Sequence, residues 1–72
     1  MENNTLVTAA FAHFEAKRLE ALARLQLYGT NSVGVGDHSN VVEESIRAIE
    51  DLDNAVSCLQ TLQSLVANNE EQ

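Results

Sequence analysis

The residues that most strongly interrupt a helix are confined to one place in this chain. Proline is absent, and the three glycines are Gly29, Gly34 and Gly36. Glycine tolerates left-handed backbone and costs a helix interior about 1 kcal/mol relative to alanine, and proline costs about 3 kcal/mol. Interrupted once near its middle, the 72-residue chain divides into two unbroken segments and a connector.

The first segment, "TLVTAAFAHFEAKRLEALARLQLY" (5–28), is rich in Ala, Leu, Glu, Lys and Arg, all good helix formers. Val7, Phe11, Phe14, Arg18, Ala21, Leu25 and Tyr28 recur at alternating steps of four and three, which places them on one face of a helix. Asn4 or Thr5 can cap its start, and Gly29 stands where a left-handed residue would end it. The second segment, "VVEESIRAIEDLDNAVSCLQTLQSLVAN" (41–68), repeats the habit. Val42, Ile49 and Val56 step by seven, with Ser45, Leu52, Leu59 and Val66 between them. Val41, Ala48, Ala55 and Leu62 widen that stripe on one side and Ile46 on the other. Asn40 with Glu43 has the capping-box arrangement, and Asp37 and Ser39 add further capping groups. The tail "NNEEQ" has no apolar anchor and is expected to fray.

The expected fold is therefore all-α: one domain over 1–72, with helices at about 5–28 (capped from residue 4) and 40–68, a glycine-containing connector at 29–39, and a frayed end at 69–72. Reversal at the connector gives an antiparallel hairpin. Its expected interface comprises Val7, Phe11, Phe14, Ala21, Leu25 and Tyr28 against Val42, Ile49, Leu52, Val56, Leu59 and Val66. Arg18 lies in the middle of the first stripe, where an arginine needs a carboxylate. Asp53, or Glu50, stands at the right height to fix register as an ion pair. Charge favours the pairing: residues 5–28 carry a net +1 and 41–68 a net −4. Each exposed pair contributes only about 0.2–1 kcal/mol, so charge selects register more than it stabilises.

A chain of this size buries only about 60% of its unfolded surface and usually needs a disulfide, a metal or a partner. Cys58 is the single cysteine, so no intrachain disulfide forms, and His13 and His38 are isolated, which gives no metal site. Self-association remains. Leu19, Leu22, Leu27, Ile46, Cys58, Leu62 and Leu65 extend apolar surface beyond one seam, and docking two hairpins into a four-helix bundle would cover much of it. A homodimer or larger homo-oligomer is the expectation.

The formal net charge of −7 repels phosphate backbones and anionic lipid, which argues against direct nucleic-acid and membrane binding. It leaves room for a basic protein partner. No apolar run approaches the ~18 residues of a membrane span, and the lone thiol suits a reducing, cytoplasmic compartment.

"GVGDHSN" ahead of the second helix has the outline of a phosphate-binding loop. It lacks GK[ST], a preceding strand and GxGxxG, and Asp37 would repel an anion. The dipeptide Asp37–His38 has neither the nucleophile nor the pocket that acid–base catalysis requires. No catalytic, cofactor or metal residue is assigned. The connector, with Val33, Gly34, Val35, Gly36 and His38, is long for a helix–helix turn and is the candidate partner-contact loop. The functional expectation is a non-enzymatic structural or adaptor protein acting through helix contacts. The alternative is an acidic inhibitor or nucleic-acid mimic that occupies a basic site on a partner.

Overall fold

The computed structural model describes the backbone of residues 2–31 and 38–71 and the side chains of 5–30 and 40–68. It contains two helices, α1 (Glu2–Asn31) and α2 (His38–Glu71), packed against each other along their length. Helices of 30 and 34 residues are about 45 and 51 Å long at 1.5 Å per residue. The whole molecule measures 55 × 16 × 14 Å, so the chain is an antiparallel hairpin one helix thick. Its radius of gyration is 16.4 Å, against about 11 Å for a compact chain of the same length.

Both helices are longer than their caps imply. α1 continues through Gly29 to Asn31, and no described glycine has a left-handed backbone. Gly29 is therefore not the helix terminator expected. The Thr30 hydroxyl donates to the Gln26 carbonyl at 3.0 Å and lies 3.3 Å from that of Leu27, which ties down the last turn. α2 begins at His38, which puts Asn40 inside the first turn and Glu43 in the second. The Asn40–Glu43 capping box is thus displaced from the helix start. α2 also runs through the supposed tail to Glu71. Asp37 and residues 33–36 of the contact-loop candidate lie outside the described residues, as does the side chain of His38. Six residues separate the helices, within the 2–8 usual for such connections.

The centre of the seam is made of alanines. Ala21, Ala48 and Ala55 are 1%, 0% and 1% exposed, and no larger side chain is fully buried among the described residues. On α1, Val7, Phe11, Phe14, Arg18, Leu25 and Tyr28 are half-buried around Ala21. On α2 the seam centres on the row that widens the expected stripe, and of the expected interface only Val42 and Ile49 stand out of it. Val41, Ala48, Ala55 and Leu62 face inward, flanked by Ser45, Leu52, Leu59 and Val66, while Val42 and Ile49 are 58% and 54% exposed. The physical reason is size. An alanine row lets two backbones approach closely, and the leucines beside it then meet; a Val42–Ile49 row would hold the helices apart.

Candidate interaction surface

The seam divides the hairpin into two flanks, and one hydrogen bond identifies them. Arg24 Nη2 of α1 donates to Asp51 Oδ2 of α2 at 2.7 Å. Each residue lies three positions after a buried alanine, Ala21 or Ala48, and so on the same edge of its helix. Helical side chains lean toward their own N-terminus, which brings both groups back toward the Ala21–Ala48 level. The neighbouring carboxylate raises the guanidinium pKa of Arg24 above its ordinary value. Arg24 Nε is buried without a hydrogen-bond partner, so this arginine is clasped at one end only.

Around the Arg24–Asp51 bond is an open groove of ≈ 340 Å³ lined by His13, Phe14, Lys17, Glu20, Ala21, Arg24, Asp51 and Asn54. The His13 and Phe14 rings meet edge to face with centroids 4.9 Å apart. Lys17 lies 3.9 Å from Glu20, so the charges of this groove are largely matched within it. It holds no serine or cysteine nucleophile beside its histidine, and the described residues contain no His/Cys/Asp/Glu group able to hold a metal ion.

The opposite flank has a different chemistry. At 100° per residue, Leu22 and Ile49 each lie about 100° from their buried alanine, on the side away from Arg24 and Asp51. Val42 and Val56 extend this flank along α2, with Phe11 and Leu25 beside Leu22 on α1. Leu22 is 40% exposed, so three large apolar side chains, Leu22, Val42 and Ile49, stand in solvent on one side of a thin rod. No family model, curated protein sequence or solved structure matches the chain.

Within the apolar flank sits one ion pair. Arg18 Nε donates to Glu15 Oε1 at 3.0 Å and Nη2 donates to Oε2, a bidentate clasp within α1. Hydrogen bonding to Arg18 holds the Glu15 carboxyl below its usual range and raises the arginine. The Arg18–Asp53 register pair expected from sequence is therefore not the pair formed. Asp53 is exposed, about 140° around α2 from the seam, whereas Glu15 lies one turn back, in the direction an arginine side chain leans. The bond that does cross the seam, Arg24–Asp51, was not anticipated. Its signal was available: opposite charges at the same offset from Ala21 and Ala48.

Among the described residues, no helix is long and apolar enough to cross a membrane. Cys58 is a half-buried free thiol.

Proposed function

We propose that this chain is a non-enzymatic structural or adaptor protein that works through helix–helix contacts and assembles with itself, as a homodimer forming a four-helix bundle. The supporting observation is the poverty of its own core: among the described residues three alanines are fully buried, while eight large apolar side chains are exposed. The accessible surface of 5494 Å² exceeds by roughly 1,100 Å² what folded monomers of 7.9 kDa expose. A standard interface covers about 800 Å² per partner, so one docking event removes an excess of this size. In a reducing, cytoplasmic setting Cys58 would remain a thiol and contribute packing alone.

The test is whether folding depends on concentration. The melting temperature should rise with protein concentration because a dimer is stabilised by mass action. A melting temperature constant from 1 µM to 1 mM would contradict self-association. The reading as an acidic inhibitor rests on the exposed Glu43, Glu50 and Asp53 of α2. It requires binding to a basic protein that weakens steeply between low and high salt.

A further inference from the structure

Resting on the self-association proposed above, we propose that the Leu22–Ile49 flank docks on the same flank of a second copy, about a two-fold axis parallel to the helices, so that α1 of each copy lies on α2 of the other.

The flank's charge points to a copy of this chain as the occupant. The chain carries −7 overall, yet on this flank the charged side chains are Glu15 and Arg18, joined to each other by two hydrogen bonds, and exposed Asp53 at its outer edge. Two copies of an acidic protein repel little where each presents little net charge, and this flank carries a net of only −1, at its rim, around exposed Leu22, Val42 and Ile49. A basic partner would instead be drawn to α2's outer acidic residues and would leave this apolar surface uncovered. The area also fits, since the excess exposed surface is close to one partner's share of a standard interface.

Charge also selects the orientation. α1 carries Glu2, Glu15 and Glu20 against Lys17, Arg18 and Arg24, a net of zero. α2 carries Glu43, Glu44, Glu50, Asp51, Asp53, Glu70 and Glu71 against Arg47, a net of −6. Two hairpins docked face to face can be related by a two-fold axis across the helices, which lays α2 on α2. An axis along the helices lays α1 on α2 instead. Neighbouring helices sit 8–10 Å apart, about one Debye length at 0.1 M salt, so adjacent −6 helices would repel. The lengthwise axis sets them on a diagonal and gives each a neutral neighbour. Both connectors then lie at the same end of the bundle.

The experiment combines sedimentation with an interspin distance. In sedimentation equilibrium, Ile49→Glu should raise the dimer dissociation constant by at least about a hundredfold, because a carboxylate enters an apolar contact. Leu27→Glu, at an equally exposed leucine on the other flank, should change it by less than about threefold. Since Ile49→Glu could unfold the chain, a spin label on Thr5→Cys in a Cys58→Ser background gives an independent reading. The proposal requires the two Thr5 backbone positions within about 20 Å of each other, the diagonal of a four-helix bundle. A separation beyond about 35 Å would overturn the lengthwise axis, because it places the α1 N-termini at opposite ends. A dimer that tolerates Ile49→Glu would overturn the choice of flank while leaving self-association standing. A wild-type monomer would remove the self-association itself.

Discussion

Arg24 and Asp51, 27 positions apart in sequence, are joined by a 2.7 Å hydrogen bond that bridges the two helices beside the Ala21–Ala48 contact. It is a polar bond that links α1 to α2 on one flank, while the other flank presents Leu22, Val42 and Ile49. Both side chains are substantially exposed, so its contribution to stability is about 0.2–1 kcal/mol.

A double-mutant cycle measures that coupling. Arg24→Ala and Asp51→Ala should each destabilise modestly, and the double variant by less than their sum, with a coupling of about 0.5 kcal/mol in urea unfolding. Strict additivity would show that the bond contributes nothing in solution.

The alanine seam is the more sensitive element. Ala48→Leu adds three carbons where there is no space and should cost about 1–3 kcal/mol by forcing the helices apart. Ala9→Leu, on the exposed side of α1, should change stability by less than about 0.5 kcal/mol. Equal effects at the two positions would contradict the close approach at Ala48.

Gly29 offers a gain. It is helical, lacks left-handed backbone, and a Cβ added there would meet nothing within 4 Å. Gly29→Ala should stabilise by up to about 1 kcal/mol through helix propensity alone. A loss of stability would mean that the helix ends at Gly29 after all.

Acidification should act through Glu15. Its folded-state pKa is depressed, chiefly by the hydrogen bond from Arg18, so the contribution to stability is fully present above the unfolded value near 4.5 and is lost as pH falls through the folded value. Stability measured from pH 6 down to pH 3 should therefore decline less in Glu15→Gln than in the unsubstituted protein. Parallel declines would show that the Glu15–Arg18 clasp carries no linkage.

The hairpin was legible in the sequence because its signals are local: glycines in one window and apolar steps of three and four on α1. The facing side of α2 was less so. Rows 41/48/55 and 42/49/56 are both apolar, and period alone cannot choose between them. Side-chain volume decides it, since Ala48 and Ala55 admit a neighbouring backbone where Ile49 and Val56 do not. Helix ends were misplaced for a related reason. Gly29 and Asn40 are residues that commonly cap, but α1 runs past Gly29, where the Thr30 hydroxyl bonds the Gln26 carbonyl, and α2 begins at His38, two positions before Asn40. Arg18 needs a carboxylate, and Glu15 supplies one from a turn away on its own helix, a pairing as legible in the spacing as Asp53 across the seam.

Self-association is tested most directly by sedimentation equilibrium of the unsubstituted protein across micromolar to millimolar concentration. The expected result is a species of twice the 7.9 kDa chain mass that dissociates on dilution together with loss of helical signal. A stable, fully helical 7.9 kDa monomer throughout that range would contradict it.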